Sequence, residues 1–317
     1  MPPRGADAQE AGGVNRARAA PLRSWLFVPG DSERKQAKAL LTRADALILD
    51  LEDSVDPAQL PAARARVAVL LTKRPAGPGP QLWVRVNAPS SSAFNEDLLS
   101  VCRFAMPDGL VLPKVSAAAE IVATVGRLAA LDSTHGLPAG RTRLLALVTE
   151  TPQGLLALPN YPELLARSPA TVERLAGFTW GAEDLSAALG ATAKRTEQGV
   201  FTPPFQHART SCLLAAAALA VQAVDGVYTD FRDAAGLERE LKEARRDGFS
   251  GKLAIHPDQV AAINAAFTPT EAERAHARRV IAAFAAAPGA GVASLDGQML
   301  DRPHLLQAQR VLAAAEA

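Results

Sequence analysis

The sequence predicts an α/β fold, a (β/α)8 TIM barrel followed by a C-terminal helical appendage or lid. Three observations predict it. Short apolar, β-branched runs recur eight times between residues 24 and 257. Longer helical patterns separate them, and neighbouring strands joined by such crossovers pair in parallel. Eight units over roughly 250 residues match a closed barrel. A doubly wound open sheet is the competing architecture, but no GxGxxG follows the first strand, and that motif marks the nucleotide-binding form of that sheet.

The expected strands, in order, are "SWLFVP" (24–29), "ALILDL" (46–51), "LWVRVN" (82–87), "GLVLPK" (109–114), "LLALVTE" (144–150), "GFTWGA" (177–182), "GVYTD" (226–230) and "KLAIHP" (252–257). Between them, "SERKQAKALLTRA" opens on Ser32, a good N-cap residue. "PAARARVAVLLTKR" carries Pro61 in its first turn, where a missing N–H costs nothing. "AAAEIVATVGRLAAL" and "HARTSCLLAAAALAVQA" read as further helices, and "GLERELKEARRDG" as one closed by Gly248. From about Phe267 the alternation stops. A helix, a Gly-rich turn, a short extended piece and a last helix follow. The domain reading is a disordered tail over 1–21, a barrel over 22–267 and a lid or oligomerisation segment over 268–317.

Composition narrows the function. With 34 basic and 33 acidic residues the formal net charge is +1, which gives no electrostatic case for nucleic acid or a membrane surface. No apolar run approaches the ~20 residues that span a bilayer. The first 20 residues lack the apolar segment of a secretory signal. Two cysteines, Cys102 and Cys212, read as reduced core thiols in a reducing, cytoplasmic compartment.

The chemistry is expected at the C-terminal ends of the barrel strands, where such folds build their sites. "LILDLEDSVDP" places Asp50, Glu52, Asp53 and Asp56 past strand two. Strand three carries Arg85 and Asn87, strand four ends in Lys114, strand five in Glu150, strand six in Glu183 and Asp184, and strand eight in His256. Carboxylates gathered from several strands are costly without a compensating cation. The pattern predicts a hard divalent cation with oxygen ligands, Mg2+, held by Glu150 and Asp184. Asp184 and Asp53 also read as helix N-caps. Glu52 and Asp53 are expected to orient metal-bound waters or fix Arg85, with a solvated loop as the bland alternative. Lys114 would hold a carboxylate in place, and His256 is a structural hydrogen-bonding residue.

The motifs "RSWLFVPGDSERKQAKAL", "ADALILDLEDSV", "LWVRVN", "GLVLPKV", "ETPQGL", "GAEDLSAALG", "DGVYTDFRD", "GFSGKLAIHPDQV" and "DGQMLDRPHL" together resemble the HpcH/HpaI aldolase and citrate lyase β-subunit superfamily, in its CitE-like branch with malyl-CoA and citramalyl-CoA lyases. The resemblance covers about residues 22–312. It implies that Glu150 and Asp184 are Mg2+ ligands and that Arg85 contacts the substrate and the forming enolate. It implies that Arg34 and Lys38 contact the CoA portion, and that Phe27 stands where some members carry a pocket-lining tyrosine. Asp301, with Asp296 as its neighbour and rival, matches a catalytic aspartate delivered from an adjacent subunit, so a homo-oligomer, trimer or hexamer, is implied. The implied reaction cleaves or forms a small 3-hydroxyacyl-CoA such as malyl-CoA or citramalyl-CoA, with acetyl-CoA and glyoxylate or pyruvate as the other partners. The alternatives are a citrate lyase β-subunit using an acyl-carrier-protein thioester, a metal-dependent aldolase for free hydroxy-keto acids, and a catalytically idle binding protein.

Overall fold

The computed structural model describes residues 21–74, 77–103, 106–287, 289 and 291–315. The expected tail over 1–21 lies, but for its last residue, outside the described residues. The chain divides into a unit spanning Leu22–Pro269 and another that contains the segment beginning at Thr270.

The first unit is the barrel. Its strands are β1 (Ser24–Pro29), β2 (Ala46–Asp50), β3 (Gln81–Arg85), β4 (Gly109–Leu112), β5 (Arg143–Leu147), β6 (Leu175–Thr179), β7 (Gln222–Asp225) and β8 (Gly251–Ala254). They pair in parallel in chain order, and β8 closes on β1. The sequence alternates between two buried layers. Trp25, Ile48, Trp83, Val111, Leu145, Val224 and Leu253 form one apolar cluster. Their strand neighbours Leu26, Leu47, Leu49, Val84, Leu110 and Leu112 belong to the cluster shared with the helices. Burying both faces of every strand explains why these segments read as continuous apolar runs. Trp25 and Trp83 meet edge to face with ring centroids 4.8 Å apart. Gly109 makes room for them, since a Cβ there would lie 2.2 Å from the Trp83 ring.

Glu150 lies in the loop past β5, which ends at Leu147 rather than at 150, and two further expectations need correction. Strand seven is not 226–230 but Gln222–Asp225, and the preceding helix, Pro203–Ala218, stops well short of Ala223. Ala220 takes a left-handed φ of 51° there, reversing the chain without a glycine to mark it. Strand six ends at Thr179, so Glu183 and Asp184 are not at a strand end; they lie in the first turn of the helix Ala182–Leu189, whose N-cap is Gly181. Asp184 is therefore not an N-cap either. Other caps fall as expected. Ser32 accepts from the Lys35 N–H, and Gly248 ends its helix at φ 114°.

The second unit is described by itself. It holds the helix Glu271–Ala285, a hairpin of β9 (Val292–Leu295) and β10 (Gln298–Asp301), and the helix Arg302–Ala315. Asp296 and Gly297 both have positive φ, 52° and 77°, the geometry that a two-residue hairpin turn demands. Ala277, Val280, Leu300 and Ala308 make its small core.

Candidate active site at the rim of the barrel

The inward parity of the strands sets the first layer of the site. Phe27 packs against the interior cluster one step beyond Trp25. Asp50 and Arg85 stand two residues beyond Ile48 and Trp83, at paired positions of β2 and β3. Arg85 Nε and Nη2 donate to the two oxygens of Asp50 at 2.7 and 2.8 Å. Asp50 also accepts from the N–H groups of Glu52 and Ser54, at 3.0 and 3.1 Å. Burial pushes the Asp50 carboxyl up, but the Arg85 hydrogen bonds and charge outweigh it and hold it below its ordinary value. Burial alone would lower the Arg85 pKa; its contacts with Asp50 raise it instead, so the guanidinium stays charged. The guanidinium lies 4.7 Å from the centroid of the Phe27 ring, within cation–π range.

Loop residues add more charge. Glu52 Oε2 lies 2.9 Å from Arg85 Nη1, and Asp53 Oδ2 lies 3.5 Å from it. The Lys114 ammonium pairs with Glu52 and lies 3.1 Å from Asp53 Oδ1 and 3.4 Å from Asp184 Oδ1. Its backbone N–H donates to Glu150 Oε2 at 2.6 Å. Burial raises the Glu52 pKa, and its partly compensating cations are Arg85 and Lys114. Glu150 is buried, and burial followed by the nearby Asp184 charge pushes its pKa up to about 8. Gly181 is what lets its carboxylate sit there, because a Cβ at 181 would lie 2.7 Å from Glu150 Cγ and 2.8 Å from Oε1.

Phe27, Glu52, Asp53, Arg85, Glu150 and Asp184 are thus brought together. Arg34 and Lys38 project as exposed residues from the helix Glu33–Leu40 that follows β1. His256 caps the helix Pro257–Phe267, accepting from the Asp258 N–H at 3.3 Å, and stacks on Phe231. In the second unit Asp301 is exposed at the end of β10 and hydrogen-bonded to His304, while Asp296 pairs with Arg279.

A divalent cation fits these residues. A carboxyl that burial and a neighbouring carboxylate push to about 8 is short of positive charge, and a hard cation supplies it. Among the described residues no group of three or more His, Cys, Asp or Glu forms a fuller cage. Two carboxylates with the remaining positions open are what Mg2+ commonly uses.

Sequence reasoning passed over the grip of Asp50 on Arg85 and the part played by Gly181. The signal for the first was present. Asp50 closes "ALILD" and Arg85 closes "QLWVR", each directly after an apolar run, so adjacent parallel strands bring them side by side. It also passed over a second buried charge cluster, in which Lys252 Nζ meets Asp225 at 2.9 Å and Glu240 at 2.6 Å.

A family model described as HpcH/HpaI aldolase/citrate lyase matches residues 23–257. A citrate lyase subunit beta-like protein of Mycobacterium tuberculosis is 36% identical over 291 residues, covering 92% of this chain and 94% of the relative. A (3S)-malyl-CoA thioesterase of Cereibacter sphaeroides is 38% identical over 94% of this chain and 95% of its own length. The mitochondrial citramalyl-CoA lyase of Rattus norvegicus is 35% identical over 93% of this chain and 86% of its own. Among solved structures, CitE of M. tuberculosis in complex with magnesium, acetoacetate and coenzyme A superposes with a TM-score of 0.71. It is 33% identical, covering 94% of this chain and 99% of that one.

Proposed function

The chain belongs to the HpcH/HpaI aldolase/citrate lyase family, and from that premise we propose that it is a Mg2+-dependent carbon–carbon lyase. Its substrate is a small 3-hydroxyacyl-CoA such as malyl-CoA or citramalyl-CoA. The products are acetyl-CoA and a 2-oxo acid, glyoxylate or pyruvate, and the reverse condensation uses the same groups. The observation that carries the reading is the convergence of buried Glu150 and of Asp184 on Lys114, at 2.6 Å from its N–H and 3.4 Å from its ammonium, beside an Arg85 held by Asp50. The relatives that support it are the citramalyl-CoA lyase and the CitE complex with magnesium, acetoacetate and coenzyme A.

Glu150 and Asp184 would hold the cation, which when bound polarises the substrate hydroxyl and carboxylate as a Lewis acid. Arg85 stabilises negative charge as it develops on the thioester oxygen of the enolate. Its fixed orientation means that little reorganisation is needed at the moment of reaction. Phe27 lines the pocket and excludes water from that charge. Glu52 and Asp53 hold Arg85 and Lys114 in place. Arg34 and Lys38, exposed on one helix face, bind phosphate groups of the CoA. Asp301 is the base that removes the hydroxyl proton, supplied by a neighbouring subunit, so the working enzyme is a homo-oligomer, trimer or hexamer. The barrel over 22–267 carries the metal, and the segment 268–317 serves as a lid or oligomerisation segment. No helix among the described residues is long and apolar enough to cross a membrane. The two buried thiols, Cys102 and Cys212, support a reducing, cytoplasmic setting.

Purified protein incubated with malyl-CoA or citramalyl-CoA, in MgCl2 and in EDTA, tests the reading by chromatography of the products. Acetyl-CoA and a 2-oxo acid in equal amounts, formed only with the metal, are expected. The (3S)-malyl-CoA thioesterase relative favours a second reading, hydrolysis of the thioester. Free CoA with malate from malyl-CoA or citramalate from citramalyl-CoA, and no acetyl-CoA, would establish that instead.

A further inference from the structure

Lys114 stands between the two carboxylates assigned to the metal. It follows β4 with a left-handed φ of 53°, a conformation that a non-glycine residue holds only where its surroundings impose it. That turn sends its backbone N–H to Glu150 Oε2, 2.6 Å away. It sends its ammonium into the carboxylates of Glu52, Asp53 and Asp184. One residue therefore touches both proposed ligands, the first through the backbone and the second through its charge. Five carboxylates meet here, those of Asp50, Glu52, Asp53, Glu150 and Asp184, against the two cations Arg85 and Lys114. Arg85 is committed to Asp50 and Glu52. The ion pair that reaches Asp184 is that of Lys114, at 3.4 Å.

We propose that the Lys114 ammonium is the site's own counter-cation: it satisfies the carboxylates around the metal position and thereby weakens the binding of a divalent cation there. The inference rests on Glu150 and Asp184 being the metal ligands. Two positive charges drawn to one carboxylate oppose each other, and in a partly buried setting that opposition is large compared with its value in water. Lys114 is in this sense a positioning residue that also sets metal affinity. A lysine that only braced the loop would have the reverse effect, because its loss would let Glu52, Asp53 and Asp184 drift and bind the metal less well.

The sign of the change is the test. Lys114→Gly removes the ammonium, keeps the N–H that holds Glu150, and suits the positive φ. Isothermal calorimetry with MgCl2 alone, on the full-length protein, is expected to show Mg2+ bound about five- to tenfold more tightly than by the wild type. Lys114→Met, which keeps a long side chain, is expected to change in the same direction and serves if the glycine variant melts early. Equal or weaker Mg2+ binding by a folded variant, with binding by the wild type intact, overturns the inference alone. A folded wild type that binds no Mg2+ overturns the ligand assignment itself, and this inference with it.

Discussion

Asp50 holds Arg85 with both of its oxygens, at 2.7 and 2.8 Å, across adjacent strands of the barrel. The pair is buried and lies at register-matched positions at the C-terminal ends of β2 and β3. A guanidinium gripped in two places cannot swing, so it presents its charge to the rim in one direction. Removing Asp50 takes away the bidentate partner of a buried guanidinium and leaves it with Glu52 and Asp53, which meet a single nitrogen. Asp50→Ala is expected to lose about 3–5 kcal/mol of stability in urea unfolding and about a hundredfold in kcat through misplacement of Arg85. Wild-type kcat in a folded variant would show that Arg85 needs no such anchor.

Glu150 makes the opposite case, a buried acid kept without a full counter-charge. Because burial and the Asp184 charge already push it to about 8, a neutral amide of the same shape removes a cost. Glu150→Gln is expected to melt at or above the wild-type temperature in EDTA, with Mg2+ binding abolished in calorimetry. Mg2+ affinity equal to the wild type would remove Glu150 from the ligand set.

Gly181 is the steric complement of that arrangement. Its missing side chain admits the Glu150 carboxylate, and an added Cβ would stand 2.7 Å from Cγ. The Glu150 carboxylate is fixed at its far oxygen by the Lys114 N–H, so it has little room to yield. Gly181→Ala is expected to weaken Mg2+ binding by about tenfold or more, while far-UV circular dichroism stays unchanged. Unaltered Mg2+ affinity would mean that the carboxylate re-seats freely.

The barrel was legible in the sequence because its signal is local. Strands buried on both faces read as runs such as "ALILD" and "RLLAL", and caps such as Ser32 and Gly248 mark the helices between them. The seventh strand was misplaced because "CLLAAAALAVQAVD" has no breaker: the helix stops at Ala218 and the turn is made by Ala220 rather than glycine. Charged groups near strand ends were legible for the same local reason, and Arg85, Lys114, Glu150 and Asp184 do converge. Asp184 was assigned to a strand end because "GFTWGAED" does not show where pairing stops, which is after Thr179. What local reading cannot supply is register and long-range partners. Asp50 needs the β2–β3 register to meet Arg85. Nothing local to "KLAIHP" marks Lys252 as the partner of Asp225 and Glu240, which only the fold sets against it.

Asp301 supplies a test of catalysis separate from metal binding. It is exposed, pairs with His304 and belongs to the second unit. If it is the proton acceptor, Asp301→Asn is expected to bind Mg2+ as the wild type does and to lose at least about a hundredfold in kcat. Mixing Asp301→Asn with Glu150→Gln in equal amounts, under conditions where subunits exchange, should restore part of the activity if the base acts across a subunit boundary. No recovery in verified mixed oligomers would assign it to its own subunit.

The buried Asp225–Lys252 pair predicts how the barrel responds to acid. Burial pushes the Asp225 carboxyl up, but the charges of Lys252 and Arg209 and the Trp180 hydrogen bond outweigh it and hold it down at about 2, against an ordinary 3.8. A carboxyl depressed on folding contributes stability that is complete above its unfolded pKa and lost as the pH falls through the folded one. The loss therefore falls between about pH 4 and pH 2, and a rise in pH toward 7 adds nothing from this group. Protonation would leave the Lys252 ammonium, 0% exposed, with Glu240 as its remaining carboxylate. Urea unfolding of the wild type at pH 7, 4 and 3 is expected to show a steep fall at the acid end. Asp225→Asn should be less stable at pH 7 and flatter over that same range. A variant whose stability falls in parallel with the wild type between pH 4 and 3 would locate the acid sensitivity in other carboxylates.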